Sequence, residues 1–330
     1  MTHTGPVLGT TLYSFTNEWQ QRLFTLEGLV EKVAALGLGP GVEVVGFQSF
    51  RDFPDVSDET ARAFRALLDR CGLIPSCLSG NSDVGRRKDR LMTHDEIVAY
   101  VERQLISAQK LGFPVLRIQA FVGPKVMEAL APIAERCGVQ VAGELHSPLS
   151  ADHPEVVALR ECYDRVGSPY LGFVPDFSCT MNTAPEGHWQ TLRADGAPEA
   201  LIDEAKAIWH DDRPIPAKFG ALAEAAARHG VAERLMGRIN RSITMFGHAP
   251  VAQWAELLPY ARHIHGKYYQ VDATGNEPAI PYAEIMALLK REGYSGTISA
   301  EWEGQAFVED AIGFEQAQAW HAMCRRLLSA

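Results

Sequence analysis

Short apolar runs rich in β-branched residues alternate along this chain with longer segments whose apolar positions recur every three or four residues. Val7 to Phe15 reads as a strand, and Leu26 to Leu36 as a helix broken by Gly37, Gly39 and Pro40. Val42 to Phe47 is a second strand. Ser57-Asp58-Glu59-Thr60 is a capping pattern that opens a helix ending near Cys71, and Leu73 to Leu78 forms the third strand. A helix from His94 to Leu111 stops at Gly112, before a fourth strand at Val115 to Gln119. Pro124 to Arg136 is helical, bent at Pro132 and closed by Cys137-Gly138, and Val139 to Leu145 is the fifth strand. A helix from Pro154 to Val166 leads to the sixth strand, Tyr170 to Phe177. From Ser178 to Pro250 the rhythm fails. It resumes with a helix at Val251 to Arg262, a strand at Ile264 to Val271, a helix at Ala283 to Arg291 and an eighth strand at Gly296 to Glu301.

Strands that are apolar almost throughout, each followed by a helix, predict a parallel sheet covered on its outer face and closed on itself. The expected fold is an α/β (β/α)8 TIM barrel, one domain over residues 1–330, elaborated between strands 6 and 7. That elaboration, at about 178–250, is too long for a bare loop. It contains helix-like pieces at Ala200 to Trp209 and Phe219 to His229, with breaks around Pro214 and Pro216. A doubly wound open sheet would carry a glycine fingerprint after its first strand, and Thr10-Thr11-Leu12-Tyr13-Ser14-Phe15 has none.

Composition narrows the class of partner. Among 330 residues, 46% are hydrophobic and 22% charged, with a formal net charge of −10. Phosphate backbones demand clustered Lys and Arg, so nucleic acid is excluded as the main partner; Arg86-Arg87-Lys88 reads as a solvated loop. The six cysteines lack CxxC spacing and are expected as reduced thiols. No apolar run is long enough to span a membrane, and Met-Thr-His-Thr-Gly-Pro does not open like a secretory signal. A cytoplasmic location is expected.

The carboxyl ends of the last four strands carry the candidate chemistry. The fifth ends Val-Ala-Gly-Glu144-Leu-His146, the sixth Phe-Val-Pro-Asp176-Phe, the seventh carries His263-Ile-His265-Gly-Lys267, and the eighth ends Ile-Ser-Ala-Glu301-Trp-Glu303. Barrel enzymes place their chemistry at these ends. Three carboxylates and an imidazole make an oxygen/nitrogen site with a charge near −3, suited to Mn2+, Mg2+ or Co2+ rather than to a thiolate zinc site. Without a cation those carboxylates would repel one another.

Glu-x-His, Pro-Asp-Phe, His-x-His-x-Lys and Gly-x-Ile-Ser-x-Glu-x-Glu, in that order, resemble the xylose-isomerase-like superfamily of sugar isomerases, epimerases and dehydratases. The resemblance implies that Glu144, Asp176, His265 and Glu301 bind a divalent ion, Mn2+ by preference. His263 faces the same side by period two and stays an alternative ligand.

Within the superfamily, Leu-Gly-Thr-Thr-Leu-Tyr-Ser-Phe-Thr-Asn-Glu-Trp, Glu144-Leu-His146-Ser-Pro and His265-Gly-Lys-Tyr-Tyr are similar to the α-type subunit of bacterial C-glycoside deglycosidases. Those enzymes pair a barrel with a small β-rich subunit and cleave the carbon–carbon bond of 3-oxo-C-glycosides, which implies a sugar or glycoside substrate and a hetero-oligomer. The chain departs from ketose epimerases, which carry a His three residues after the Asp where this sequence has Cys179. They also carry an Arg soon after the ligand His, where this sequence has Gly266 to Gln270.

The implied chemistry is enolate formation beside the ketone of a 3-oxo sugar, the ion acting as Lewis acid, followed by loss of the aglycone from C1. His146 is the candidate base, with a second role as an orienting partner of a carboxylate weighed beside it. Lys267, Arg117, Gln119, Tyr13 and Trp302 are candidate substrate contacts. The alternative activity is that of a sugar or inositol-derivative isomerase, epimerase or dehydratase using the same enolate step.

Overall fold

A computed structural model of the chain describes residues 5–119, 122–231 and 233–329. Eight strands form one sheet: β1 (Val7–Thr11), β2 (Gly41–Val45), β3 (Ile74–Gly80), β4 (Val115–Ile118), β5 (Gln140–Leu145), β6 (Leu171–Pro175), β7 (Ile264–Tyr268) and β8 (Thr297–Trp302). Their order is β6-β5-β4-β3-β2-β1-β8-β7, and every paired neighbour is parallel. β6 and β7 meet through isolated bridges, Phe173 with Ala261 and Asp176 with His265, so the barrel is nearly closed, with its seam there. This is the (β/α)8 architecture that the sequence pattern predicts.

Local chemistry sets where the elements begin and end. Thr93 and Glu96 form a reciprocal capping box at the start of the helix His94–Leu111. That helix ends on Gly112, at φ +87°, a conformation a side chain would strain. β1 is shorter than the apolar run suggests, because the Thr11 hydroxyl accepts from Tyr13 N and turns the chain into a 3-10 segment at Leu12–Phe15. β6 likewise stops before the predicted Phe177, where Asp176 caps a 3-10 turn at Phe177–Cys179. The predicted helix over Val251 to Arg262 is three short pieces, interrupted by Pro259. The helix Pro124–Cys137, by contrast, runs through Pro132. A final helix, Gly313–Ser329, was not expected from the sequence; His321 on it meets the Thr10 hydroxyl at 2.9 Å.

Cys77, Val115, Ala142 and Val174, from four successive strands, make a small buried apolar cluster. Outside the strands, two large apolar clusters join sheet to helices. All six cysteines are free, and no helix among the described residues is long and apolar enough to cross a membrane.

Among the described residues of 178–250, four α-helices stand: Glu186–Ala194, Glu199–His210, Ile215–Arg228 and Glu233–Thr244. The second and third match the helix-like pieces of the sequence; the first and last were missed. Buried Trp189, Trp209, Leu222 and Ile239 bind them into one apolar cluster with Tyr268 and Ile264 of β7. Trp209 Nε1 donates to the Phe246 carbonyl at 2.7 Å. Gly247 then passes so close to Cys179 that a Cβ would lie 2.7 Å from its carbonyl oxygen. This tether brings Met245 over the barrel mouth, where it lines the central pocket.

His188, on the first of these helices, packs edge-on against Trp189 and Phe246 with its Nε2 buried and without a hydrogen bond. Burial, aided by Arg241, lowers its pKa to about 4. Because the folded value lies below the unfolded one, its contribution is fully present above pH 6.5. It is lost as pH falls toward 4, with a slope of roughly 1.4 kcal/mol per pH unit. His188→Phe keeps the packing and removes the proton site. Thermal unfolding at pH 7.5 and pH 5 should show a smaller loss of midpoint for this variant than for the wild type; an equal loss would place the acid sensitivity elsewhere.

Candidate metal centre

Strand parity assembles the site. His263, just before β7, and His265 and Lys267 on it alternate inward, as do Ser299, Glu301 and Glu303 along and beyond β8. Glu144 comes from β5, and Asp176 follows the last residue of β6. Glu144, Asp176, His265 and Glu301 are all buried and each offers a ligand atom within 4.8 Å of the others. His265 is the hub: its Nδ1 lies 2.8 Å from Glu144 Oε1, 3.3 Å from Glu301 Oε2 and 3.8 Å from Asp176 Oδ2. His263 sits deeper and outside this quartet, with its Nε2 at 3.0 Å from Glu43 Oε2 and 2.9 Å from Ser299 Oγ.

Fixed cations flank the carboxylates. Arg117 Nη2 reaches Glu144 at 3.1 Å, and Lys267 Nζ lies 2.9 Å from Asp176 and 3.0 Å from Glu303. Burial works to raise the Glu144 carboxyl, but Arg117 and His265 outweigh it and hold it well below the usual range. Asp176 is likewise held down against burial, by Lys267 and His265. Glu301 goes the other way: burial dominates and pushes it up. Burial would lower His265, yet Glu301 and Glu43 raise it, so that without a metal an imidazolium supplies positive charge between the carboxylates.

The donor set fits a hard or borderline divalent ion. Asp176 Oδ2 and Glu301 Oε2 are buried without a hydrogen-bond donor in bonding geometry, despite the nearby Lys267 ammonium. Lone pairs left over in that way, on two of four converging ligands, are what a cation takes up. The cluster could therefore bind a divalent metal.

Above the quartet opens a pocket of ≈ 380 Å³, lined by the quartet members Glu144 and Glu301 and by the expected Tyr13, Arg117, Gln119, His146 and Lys267. Lys267 is buried and Gln119 exposed. His146, half-buried, donates Nδ1–H to its neighbour's carbonyl at 2.9 Å, which leaves the Nε2 lone pair free. Burial and Glu303 both push the Tyr13 phenol up, so it stays a neutral donor. Trp302 does not belong with these residues. As the neighbour of inward-facing Glu301 it lies in the sheet–helix layer, its Nε1 donating to the Tyr269 carbonyl at 2.9 Å.

Sequence reasoning missed several residues here. Glu43, buried in the middle of β2, receives His265 Nε2 at 2.9 Å. Its signal is an ionisable residue inside an apolar strand, Gly41–Val45. Glu303 was visible two residues after Glu301. Phe47 and Met245, which line the pocket from a turn and from the elaboration, gave no signal.

Comparisons with known proteins agree with this geometry. A family model described as xylose isomerase-like TIM barrel matches residues 30–324. The chain is 41% identical to a C-glycoside deglycosidase alpha subunit of Microbacterium trichothecenolyticum, over 91% of this chain and 84% of that protein. It is 36% identical to a 3'-dehydrocarminate deglycosidase alpha subunit of a Microbacterium species, over 98% and 95%. A xylose isomerase-like TIM barrel protein from Mycobacterium smegmatis, solved in complex with magnesium, superposes with a TM-score of 0.54 at 16% identity, covering 99% of this chain and 98% of that one; it supports the fold alone. The chain is an enzyme of lyase or isomerase type. By the family match and by these identities, it belongs to the xylose isomerase-like TIM barrel family and, within it, resembles the alpha subunits of C-glycoside deglycosidases.

Proposed function

We propose that the protein is the α-type subunit of a divalent-metal-dependent lyase that cleaves the carbon–carbon glycosidic bond of 3-oxo-C-glycosides, and that it acts in the cytoplasm. The observation that carries this reading is a buried quartet, Glu144, Asp176, His265 and Glu301, at the foot of a pocket that also holds a free imidazole nitrogen on His146. The identity with deglycosidase subunits supports this substrate class over other sugars.

A dication held by the quartet, Mn2+ by preference, supplies Lewis acidity for the ketone and its enolate. His146 Nε2 removes the C2 proton beside the ketone. The electron pair then re-forms the ketone, makes the C1–C2 double bond and releases the C1–aglycone bond. The aglycone carbon takes up a proton, which His146 can return, so no water or redox partner is consumed. Lys267 and Tyr13 present N–H and O–H donors to the sugar, Arg117 holds Glu144, and Gln119 reaches the mouth. Val45, Phe47 and Met245 give the pocket an apolar flank where a flat aglycone can lie. A glycosidase of the ordinary kind protonates an exocyclic oxygen, which a C-glycoside lacks; enolate chemistry avoids that need.

Three experiments test this reading. Incubation with a 3-oxo-C-glycoside should free the aglycone, whereas isomeric sugars or loss of water without a freed aglycone would mark an isomerase or dehydratase instead. Chelation should abolish turnover and Mn2+ restore it, and Glu144→Ala, Asp176→Ala, His265→Ala and Glu301→Ala should each lose metal or activity by a large factor. Stoichiometric metal with full turnover in any two of these variants would refute the ligand set. His146→Gln should retain metal and lower kcat by ~10²–10⁴-fold without a matching rise in KM. Recovery of kcat on adding excess Mn2+ would reassign His146 as an orienting partner of Glu144.

Relatives named as alpha subunits support a partner subunit in the active assembly, and the sequence resemblance suggests a small β-rich chain for it. Light scattering of the active species should give a mass above one copy of this chain, and full activity in an isolated monomer would remove the partner from the proposal.

A further inference from the structure

We infer that Glu43 is the positioning residue that fixes the tautomer of His265, holding the proton on Nε2 so that the Nδ1 lone pair faces Glu144, Asp176 and Glu301. The inference rests on the proposed metal site and adds to it a residue that is not itself a ligand.

The geometry is specific. His265 is fully buried and has polar partners at both ring nitrogens, on opposite sides of the ring. Its Nδ1 faces the quartet, and its Nε2 lies 2.9 Å from Glu43 Oε1. A carboxylate can only accept at that contact, so Nε2 must be the donor. Once an ion occupies the quartet, Nδ1 must offer a lone pair, and the neutral ring has one proton left to place. Glu43 decides where it goes. A carboxylate behind a ligating imidazole also makes that ring a stronger donor to the ion.

Glu43 is itself held in place. The Ser79 hydroxyl from β3 donates to Oε1, and His263 Nε2 lies 3.0 Å from Oε2. Ser299 of β8 sits 2.9 Å from the same His263 nitrogen. The carboxylate, 1% exposed, thus has partners from β3 and β7 and a further neighbour from β8 behind them. This network accounts for the otherwise unused His263, Ser79 and Ser299.

The same side chains admit a rival. Glu43, His263 and His265 offer three atoms close enough to hold an ion of their own. An ion there together with one in the quartet would require His265 to give up both ring protons, and the contacts of Glu43 with His263 and His265 are already hydrogen bonds of ordinary length. One ion per chain is therefore expected.

The test is metal binding in the absence of substrate. Calorimetric titration of the metal-free wild-type chain with Mn2+ should give one site, and Glu43→Gln, with native circular dichroism, should bind Mn2+ ~10–100-fold more weakly at the same stoichiometry. In the Zn2+-loaded wild type, 15N NMR of histidine side chains should show His265 protonated at Nε2 and metal-shifted at Nδ1. That measurement decides the matter even if Glu43→Gln does not fold. Unchanged Mn2+ affinity in the variant, two ions per wild-type chain, or a His265 Nε2 without a proton would each overturn the role of Glu43 while leaving the metal site standing. A wild type that binds no ion removes the metal site and this inference with it.

Discussion

Charge buried inside the lumen is the constraint around which the rest of this barrel is arranged. Glu43, Glu144, Asp176 and Glu301 are all buried, and among the described residues Arg117 and Lys267 stand beside them as permanent cations. An unbalanced carboxylate in such a place costs several kcal/mol even after the protein relaxes. Burial raises the proton affinity of Glu301, and the neighbouring carboxylates raise that of His265. A dication in the quartet would replace protons there, so its uptake is tied to proton release.

The same arrangement explains the shape of the pocket. Carboxylates, Lys267 and Arg117 make a floor that recognises hydroxyls and carbonyls, while Val45, Phe47 and Met245 make one wall that does not. A ligand with a polar ring at one end and a flat apolar group at the other satisfies both. Met245 reaches the mouth only because the four-helix elaboration is anchored back onto Cys179 through Gly247. Packing far from the centre therefore shapes the apolar side of the pocket.

What the sequence disclosed divides along physical lines. Parity and strand ends suffice to bring Glu144, Asp176 and Glu301 to one end of the barrel, because a strand terminus there has a fixed address. Parity also accounts for the exception: Trp302 adjoins Glu301 and so faces away from the lumen. The choice between His263 and His265 depends on depth, which period-two reasoning cannot supply; the structure puts His265 in the quartet and His263 beneath it. Glu43 was passed over because a buried acid in an apolar strand is legible only once its partners are known, and those come from sequence positions far away. Phe47 sits on a helical turn, Gly46–Ser49, where the apolar run suggested continued strand.

The seam between β6 and β7 carries one more consequence. Elsewhere around the barrel, neighbouring strands share a ladder; here they touch through bridges, one of which pairs Asp176 with His265. The chain leaves for its long excursion and returns at this same gap. On the proposed ligand set, the two sides of the weakest joint in the wall both grip one ion. The centre then acts as a clasp as well as a catalyst, tightening a hoop whose backbone alone leaves it slightly open.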